Sequence, residues 1–556
     1  MDGCVSRRCR TSVNVMTNRG VAIALVSALG MLFLPGAVVP GAAQTSPETE
    51  FCPAKPLGNP TAAPMWNGWG ADIVNSRFQP AAGAGLTQAD VPKLAVKWAF
   101  GFPAPEFAAG QPTVVGGRVF IGTGPGAVYS LDAGTGCVYW RFPTHQIVRT
   151  SVTIGRVAGP ASRLAAFFGD LQANVYAVDA ETGTHLWTRR VDMHPQARIT
   201  GAPQLHEGRL YVPVSSLEEA GRSARTYECC SFRGKVVAYD AATGQEIWRT
   251  FTLDEEAKPT RKNAAGVQQW GPSGGAVWNA PTIDVKRGAL YIGTGNAYVM
   301  PAPDTTDSIM ALDLKTGRRL WWNQLTAHDA WIGGCGGNPA TRPAECKDNG
   351  PDFDFGQSPI LRDLPNGRSL LVVGQKSGVG WALDPDQKGK VVWQQQVGKG
   401  SIRGGMLFGS AADQERVYFG VSDVDHGPAV AGGLAAVRIA TGERVWYTRP
   451  PAIECRTPDD RRCVQGQAAA VTAIPGVVFS GATNGILRAY STTDGRILWE
   501  HDTAQPYKTI NGLPARGGML YGPGPVVAGG VLYMNSGYGE TRGGVPGNVL
   551  LAFAVQ

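Results

Sequence analysis

Apolar and polar positions alternate along this chain in a phrase that recurs seven times. Each copy holds a short apolar strand, a polar turn, usually with Thr-Gly, and a second strand that ends in tryptophan. Two strands joined by such a turn form a β-hairpin. The pattern therefore predicts seven hairpins of one kind, and the tryptophans that end them are Trp140, Trp187, Trp248, Trp321, Trp393, Trp446 and Trp499.

A second hairpin precedes each phrase, as in GRVFIGT and GRLYVPV. Four antiparallel strands in each repeat are typical of a propeller blade. The C-terminus supplies VLYMNSG and NVLLAFAV without a tryptophan strand, and LAVKWAF near the N-terminus, with Trp98, supplies that strand. Sharing a blade between both ends removes exposed sheet edges. We predict an all-β, eight-bladed β-propeller closed by N- and C-terminal strands, with the tryptophans packed between blades.

The spacing of the blade tryptophans indicates where functional loops lie. Neighbouring tryptophans are 42 to 73 residues apart, and the wide gaps surround Trp248, Trp321 and Trp393. Long loops on a rigid scaffold are common places for binding and catalytic residues. We therefore expect the site to be organised around residues 271–354.

Composition fits short strands and many turns. Hydrophobic residues make up 43% of the 556 residues and charged residues 17%, with 74 Gly and 39 Pro, a profile that disfavours long helices. The net charge is +7, but four arginines against one aspartate place +3 of it in the first 43 residues, and no basic run follows. This distribution argues against nucleic-acid binding.

The N-terminus resembles an export signal. A basic region ends at Arg19, an apolar run extends from Val21 to Val39, and Gly41-Ala42-Ala43 offers a small-residue cleavage site. We predict a signal peptide over residues 1–43, an N-terminal segment over 44–65 and the propeller over 66–556, in a periplasmic protein. The alternative is an uncleaved anchor, since the run approaches spanning length; no other segment of the sequence is long and apolar enough.

Eight cysteines follow the predicted signal, and an even number in an exported chain favours disulfides. Cys335 and Cys346 bracket one short loop, and Cys455 and Cys463 bracket another, so each is a natural pair. The adjacent Cys229-Cys230 either form a vicinal disulfide or pair elsewhere. No CxxC or CxxCH motif occurs, which argues against a zinc site and a covalently attached haem.

Three residues outside the repeated phrase could contact a flat, anionic cofactor. Trp278 offers an indole platform, although a core aromatic is the simpler interpretation of a tryptophan. Arg149 and Lys376 lie beside strands and could pair with anionic groups. Their alternative role is surface solubility.

Oxygen-bearing side chains near strand ends could bind a hard cation. Asn296 ends a strand in TGN, and Glu218-Glu219 follow VPVSS in an earlier blade. Asp352 and Asp354 would face the same way on a strand, where two carboxylates repel each other unless a cation lies between them. A turn asparagine and a solvated acidic pair are the alternatives for the first three residues.

At these residues the chain resembles the pyrroloquinoline quinone (PQQ) alcohol dehydrogenases, and among them the polyvinyl alcohol dehydrogenase subgroup. The resemblance covers nearly the whole chain after the predicted signal, from WNGWGADIVNSRFQ to GNVLLAFAV. Its phrases include RITGAP, LYVPVSSLEE, CCSFRG, GPSGGAVWNAPTID, GPDFDFG and GQKSG. It implies an eight-bladed propeller with PQQ on the axis.

The resemblance also implies roles for single residues. Trp278 would stack on PQQ, Asp352 would be the catalytic base, and Lys376 would stabilise charge on the quinone. The further cofactor contacts it implies are Arg149, Thr200 and Ser215. The calcium ligands it implies are Glu218, with Glu219 as the one-residue alternative, Asn296 and Asp352, while Asp354 matches an acid of relatives that use a lanthanide.

The chain departs from the family pattern at the catalytic loop. In methanol dehydrogenases the catalytic aspartate directly follows an HDxW phrase, whereas here Ile332 follows Trp331 and an insert extends to about Pro351. Asp352 can be the base only if this insert loops out, and Asp329 is otherwise the base. The family's vicinal disulfide contacts PQQ from an early blade, and Cys229-Cys230 comes later.

The resemblance implies an exported PQQ- and calcium-dependent dehydrogenase of secondary alcohols, with polyvinyl alcohol among the candidate substrates. Because no haem motif occurs, a separate cytochrome c would accept the electrons. The alternative is a non-catalytic propeller scaffold of the outer-membrane-assembly type. Such a scaffold needs the blades but not Trp278, Asn296 and the aspartate pair together.

Overall fold

The computed structural model describes residues 51–144, 146–157, 163–221, 226–263, 265–333, 335, 346, 349–454, 461–539 and 544–556. The helices that lie wholly in these ranges are α1 (Ala81–Ala84), α2 (Glu218–Gly221) and short 3-10 turns at Val91–Lys93, Pro385–Gln387, Val424–His426 and Arg461–Cys463. None of these helices is long or apolar enough to cross a bilayer. The predicted signal peptide lies outside the described residues.

Four-stranded antiparallel sheets form the blades. The first strand is β1 (Leu94–Gly101), blade 1 contains β2 (Thr113–Val115), β3 (Arg118–Gly122), β4 (Ala127–Asp132) and β5 (Val138–Pro143), and blade 2 contains β6 (Thr153–Val157), β7 (Arg163–Gly169), β8 (Asn174–Asp179) and β9 (His185–Arg190). Blade 3 contains β10 (Ala197–Arg198), β11 (Gln204–His206), β12 (Arg209–Ser216), β13 (Lys235–Asp240) and β14 (Glu246–Phe251). A separate hairpin, β15 (Lys258–Lys262) and β16 (Gln268–Gly271), precedes blade 4, which contains β17 (Thr282–Asp284), β18 (Ala289–Gly293), β19 (Ser308–Asp313) and β20 (Arg319–Gln324).

The second half completes the ring. It supplies, in blade 5, β21 (Ile360–Asp363), β22 (Ser369–Gly374), β23 (Val379–Asp384) and β24 (Lys390–Gln396); in blade 6, β25 (Ala411–Ala412), β26 (Arg416–Val421), β27 (Gly433–Arg438) and β28 (Arg444–Thr448); in blade 7, β29 (Thr472–Ile474), β30 (Val477–Gly481), β31 (Ile486–Ser491) and β32 (Ile497–Asp502); a short hairpin, β33 (Pro506–Tyr507) and β34 (Ala515–Arg516); and in blade 8, β35 (Val526–Ala528), β36 (Val531–Ser536) and β37 (Val549–Val555).

Blade 8 is shared between the two ends of the chain. Its strand order is β1-β37-β36-β35, and β1 pairs with β37 from Leu94 opposite Val555 to Gly101 opposite Val549. The predicted eight-bladed propeller and its closure are therefore confirmed. Inner strands such as β3 and β30 are buried at every residue, because neighbouring blades cover both faces, whereas the outer strands have exposed positions.

The blade tryptophans pack between neighbouring blades, as predicted. Trp140 on the outer strand of blade 1 donates its Nε1–H to the carbonyl of Ala180 in blade 2, at 3.0 Å. Its ring lies against Gly183 of the same turn, where a Cβ atom would come within 2.8 Å of the indole. Gly183 has φ +74°, so this turn needs glycine both for its backbone and for the contact.

An additional segment, residues 66–79, runs inside the ring, and we call it the axial segment. It forms hydrogen bonds with the innermost strand of every blade, at distances of 2.7–3.5 Å. The pairs, in blade order, are Trp66 with Val114, Asn67 with Ile154, Asp72 with Gln204, Ile73 with Ile283, Val74 with Leu361, Ser76 with Ala412, Arg77 with Ala473 and Gln79 with Val527.

Three disulfides join described cysteines. Cys335 pairs with Cys346 as predicted, and Cys52 pairs with Cys137. Cys229 and Cys230 form a vicinal disulfide, which resolves the alternative left by the sequence. Cys463 is disulfide-bonded, and Cys455, its predicted partner, lies outside the described residues.

Candidate functional site

One cavity of about 710 Å³ lies at the end of the ring where each innermost strand begins and each second strand ends. Trp278 comes shortly before β17, whereas Asn296 follows β18 and Lys376 follows β22. Because these positions meet at one end of every blade, residues far apart in sequence converge there. The candidate residues in the cavity wall are Arg149, Thr200, Ser215, Glu219, Trp278, Asn296, Asp352, Asp354 and Lys376, and Glu218 is not among them.

Asp329, before the insert, contacts the chain directly after the insert. The buried Asp329 accepts hydrogen bonds from the backbone N–H groups of Asp352, at 3.1 Å, and Phe353, at 2.7 Å. The two ends of the insert are therefore adjacent, although 23 positions separate Asp329 from Asp352. Asp352 has φ +64°, an uncommon conformation for a residue other than glycine, and Asp329 stabilises it.

Lys376 lies between two carboxylates. Its Nζ is 3.0 Å from Asp352 Oδ1 and 3.0 Å from Asp354 Oδ2. Burial alone would lower the pKa of Lys376, but the two carboxylates outweigh it and raise that pKa, so the ammonium group stays charged. Burial raises the pKa of Asp352 well above its usual range, against the opposing effect of Lys376.

Asn296 offers a carbonyl oxygen to the cavity. Its backbone N–H donates to Asp354 Oδ1 at 2.6 Å, and its side-chain Nδ2 donates to the carbonyls of Ala297, at 2.6 Å, and Trp331, at 3.2 Å. These bonds fix the orientation of the amide, because its nitrogen donates to two backbone carbonyls. Within the described chain, no donor reaches Oδ1, which leaves this oxygen for a ligand.

Glu218 and Glu219 face different surroundings. Glu218 is fully buried and accepts hydrogen bonds from the backbone N–H groups of Ser231 and Phe232, at 3.0 and 2.9 Å. Glu219 lines the cavity, and its buried Oε2 has no hydrogen-bond partner in the described residues. Burial raises the pKa of Glu219 to about 8, and the Asp354 carboxylate adds to this shift. The structure thus brings Glu219, not Glu218, to the other candidate ligands.

The vicinal disulfide lies behind Glu218. Cys229 and Cys230 are fully buried and absent from the cavity wall. Their sulfur atoms lie within 4.8 Å of a Glu218 carboxylate oxygen. In the sequence the two cysteines come directly before Ser231 and Phe232, whose backbone N–H groups donate to Glu218. In this structure the disulfide therefore shapes the loop that holds Glu218 and does not form the cavity wall.

Trp278 is held by contacts with a glycine backbone and a second aromatic ring. A side chain at Gly356 would overlap its ring, so the indole lies directly on the backbone of this glycine. The Phe408 ring lies nearly perpendicular to the indole, at 5.8 Å between ring centroids and an interplanar angle of 79°. Lys376 Nζ lies 5.5 Å from the indole centroid. These contacts fix the orientation of an aromatic platform.

Arg149 has no carboxylate partner among the residues that the structure describes. Its guanidinium lies 5.4 Å from the ring centroid of Phe408 and 6.0 Å from that of Tyr538. No ion pair or side-chain hydrogen bond to it occurs in the described residues. Nearby, the hydroxyl groups of Thr200 and Ser215 are 2.6 Å apart. This side of the cavity can therefore receive an anionic group.

The other half of the cavity is mostly apolar, and sequence reasoning missed it. A signal existed: RGGMLFG and RGGMLYG occur before the innermost strands of blades 6 and 8, and they place Phe408 and Tyr521 in the cavity with ring centroids 4.9 Å apart. The remaining apolar wall residues from blades 5 to 8 are Ile402, Leu407, Val424, Val464, Met519 and Tyr538. The cavity thus has a charged half and an apolar half.

Two sequence profiles of known protein families match this chain. The sequence profile described as "Glucose/ethanol/alcohol dehydrogenase, beta-propeller domain", of the PQQ family, matches residues 66–333. The profile of the outer membrane protein assembly factor BamB matches residues 232–452 and 382–548. The overlap of these two ranges reflects the repeated blades.

Two characterised relatives cover most of the chain. A polyvinylalcohol dehydrogenase of Pseudomonas sp. is 47% identical over 503 residues, covering 88% of this chain and 77% of that protein. A second, of Sphingopyxis sp. (strain 113P3), is 43% identical over 511 residues, covering 89% and 77%.

Solved structures share the fold. A quinohemoprotein alcohol dehydrogenase of Pseudomonas putida HK5 superimposes with a TM-score of 0.66 at 19% identity, covering 89% of this chain and 80% of that one. Together with the high sequence identity to the two relatives, the fold and the profile match define the family. The chain belongs to the PQQ-dependent quinoprotein alcohol dehydrogenases, the family that includes the polyvinyl alcohol dehydrogenases.

Proposed function

We propose that this protein is an exported alcohol dehydrogenase that uses PQQ and a hard cation, Ca²⁺ or a lanthanide, to oxidise secondary alcohols. The observation that carries the proposal is the single cavity that joins an indole platform, an unpaired guanidinium and several oxygen ligands. The family relation supports the quinone chemistry. The cation, the alcohol substrate and the electron acceptor are likewise proposed.

The charged half of the cavity fits a planar, anionic quinone. Trp278 would hold its flat face, and Arg149 would pair with a carboxylate, since no carboxylate of the described protein is paired with it. Thr200 and Ser215 would donate hydrogen bonds beside Arg149. These contacts need a ligand that is both flat and negatively charged, and PQQ is such a ligand.

The same half fits a hard cation. Glu219 Oε2, Asn296 Oδ1 and Asp352 Oδ2 are oxygens for which the described residues provide no hydrogen-bond donor, and such oxygens suit Ca²⁺. Asp354 already accepts from Asn296 N–H and Lys376, so we assign it a supporting role, with direct ligation for a more highly charged lanthanide. Glu219 replaces Glu218 in this ligand set.

Asp352 is the proposed base. When bound, PQQ would supply the electron acceptor, and the cation would act as a Lewis acid. Asp352 would take the hydroxyl proton of the alcohol on its carboxylate, and burial raises the pKa of this group, which makes it a stronger base. Both oxygens of Asp329 accept backbone N–H groups, so Asp329 would position Asp352. Lys376 would orient the carboxylate and stabilise negative charge on the quinone side.

The apolar half of the cavity would bind part of the substrate. Its aliphatic and aromatic wall favours the hydrocarbon part of an alcohol, and each buried CH₂ group contributes about 0.8 kcal/mol. Relatives with the name polyvinylalcohol dehydrogenase support a polymeric secondary alcohol among the substrates. Since the sequence has no CxxCH motif, we propose a separate cytochrome c as the electron acceptor, in the periplasm.

A second candidate function is a non-catalytic scaffold of the outer-membrane-assembly type, which the BamB profile match favours. A scaffold of that kind has no need for a buried carboxylate oxygen and a half-buried guanidinium that both lack a partner among the described residues, because charged groups are costly to remove from water without a ligand. Glu219 and Arg149 therefore favour the enzyme.

Reconstitution separates the two candidates. The purified protein would be mixed with PQQ and Ca²⁺, and alcohol oxidation would be followed with a redox dye, using ethanol, 2-propanol, 2-octanol and polyvinyl alcohol. We expect quinone absorbance bound to the protein and turnover that needs both additions and is faster with the longer secondary alcohols. A protein that binds no quinone and oxidises no alcohol would favour the scaffold.

A further inference from the structure

The axial segment contains a buried guanidinium, that of Arg77, which pairs with no carboxylate of the described residues. Arg77 Nη1 donates to the carbonyl of Trp69 at 2.6 Å and to Gln111 Oε1 at 2.8 Å, and Nη2 donates to Thr472 Oγ1 at 3.0 Å. The guanidinium also lies 5.0 Å from the ring centroid of Trp69. Arg77 thus fixes both the backbone and the ring of Trp69.

Trp69 connects the axial segment to the cofactor cavity. It packs against the apolar cluster that contains Phe408, and Trp278 and Tyr521 pack against the same cluster. A gap of about 20 Å³ is enclosed between Trp69, Trp278, Phe408 and Arg149. A gap of this size has room for about one water molecule, so the aromatic groups around it have little freedom to tilt.

We propose that the axial segment supports the cofactor cavity from behind its wall, since none of its residues lines the cavity, and that Trp69 is a positioning residue, which acts through Phe408 and Trp278. The proposal rests on the proposed function, because it concerns how the site holds a flat quinone. The segment bonds to all eight blades, so it cannot shift without disturbing the ring. Arg77 fixes Trp69, and Trp69 limits the tilt of the platform on which the quinone would stack.

The candidate cation ligands do not depend on this support. Glu219, Asn296 and Asp352 are held by blades 3 to 5 and by the hydrogen bonds described above. Loss of the Trp69 ring should therefore weaken quinone binding while the affinity for Ca²⁺ alone is retained. A purely structural role for Trp69 would weaken both together.

The test compares Trp69→Leu, Trp69→Phe and the wild type. The control is Trp322→Leu, which removes an exposed indole from an outer strand. For each protein one measures the dissociation rate of PQQ by absorbance, the affinity for Ca²⁺ without PQQ by calorimetry, and the thermal midpoint. We expect Trp69→Leu to release PQQ roughly tenfold faster, the scale of a lost aromatic contact, with Ca²⁺ affinity unchanged within about twofold. Trp69→Phe should release PQQ roughly twofold faster, and the control should match the wild type.

Two results would overturn this proposal while leaving the proposed function intact. The first is a folded Trp69→Leu protein that releases PQQ at the wild-type rate; if that variant does not fold, the same result for Trp69→Phe decides. The second is an equal loss of PQQ and Ca²⁺ binding. A wild type that binds no PQQ at all removes the proposed function and this inference together, whereas normal binding by the wild type with an unaffected variant removes this inference alone.

Discussion

Glu218 and Glu219 are neighbours in the sequence and differ in every physical respect that matters for ligand binding. Glu218 is satisfied by backbone N–H groups and lies beside the vicinal disulfide. Glu219 presents to the cavity a buried oxygen that has no hydrogen-bond partner in the described part of the chain. A buried carboxylate of this kind is unfavourable unless it is protonated or a cation binds it, so its assignment as a ligand can be tested directly.

We expect Glu219→Gln to weaken the binding of Ca²⁺ to the PQQ-free protein by at least roughly tenfold, because a ligand charge is lost. In the matched variant Glu218→Gln an amide, with a single acceptor oxygen, replaces the carboxylate that accepts hydrogen bonds from two backbone N–H groups. This variant should lower the free energy of unfolding by about 1–3 kcal/mol and affect Ca²⁺ less. Calorimetric titration and thermal melts measure the two effects, and the reverse ranking would return the ligand role to Glu218.

The aspartates at the two ends of the insert provide a second comparison. Asp352→Asn should keep PQQ and lose activity by roughly 10²–10⁴-fold, the usual contribution of a general base. Asp329→Asn breaks a contact to the Asp352 loop but leaves a base in place. It should therefore lower kcat less and keep the pH profile of kcat/KM. Near-normal turnover by Asp352→Asn would exclude it as the base.

At the scale of the elements, one contact recurs around the ring. The tryptophan that ends a blade lies on the glycine of the next blade's turn, as Trp393 does on Gly442, where a Cβ atom would lie 2.7 Å from the indole. Gly442 has φ +76°, as do related turn glycines within a few degrees. The Thr-Gly turn therefore provides both the hairpin and a flat surface for the neighbouring indole.

Gly442→Ala should destabilise the protein more than Gly208→Ala. Both glycines have a positive φ, but Gly208, at φ +73°, has no atom within 4 Å of an added Cβ. Gly208→Ala measures the backbone strain, about 1–2 kcal/mol, and Gly442→Ala adds about 1–3 kcal/mol of overpacking against Trp393. Urea unfolding would give the difference, and equal losses would mean that the Trp–Gly contact contributes nothing.

The sequence is informative about these elements and less so about the site. The recurring phrase predicts the blades, the closure by Trp98 and the strand ends where Trp278, Asn296 and Lys376 lie, because strand periodicity is local and repeated. The sequence does not distinguish Glu218 from Glu219. They are consecutive residues of a short helix, in which neighbouring side chains point about 100° apart around the helix axis. The apolar half of the cavity depends on which loops converge, which only the closed ring determines.

At the scale of the whole molecule, two features join the blades into one unit. Strand β1 pairs with β37, so that neither end of the ring is open. The axial segment then bonds to the innermost strand of every blade. Because the cavity wall comes from loops around the ring, the cavity has its shape only while the ring is closed. Ring closure and cofactor retention should therefore be lost together.

Substitutions in the closing strand β37 test this coupling far from the cavity. Phe553 is fully buried and packs against Trp499 and His501, with ring centroids 5.5 and 5.0 Å away. Phe553→Ala should lower the free energy of unfolding by about 3–5 kcal/mol. Val555→Ala, at a position 43% exposed on the same strand, should change it by less than about 0.5 kcal/mol.

The decisive measurement follows the quinone absorbance and the β-sheet circular dichroism of the PQQ-loaded proteins during one thermal scan. In the wild type and in Val555→Ala, both signals should be lost in the same transition. In Phe553→Ala they should again coincide, at a lower temperature, because opening blade 8 releases β1 and with it the ring that shapes the cavity. If Phe553→Ala instead loses part of its sheet signal in an early step while PQQ stays bound, the blades act independently and closure does not maintain the site.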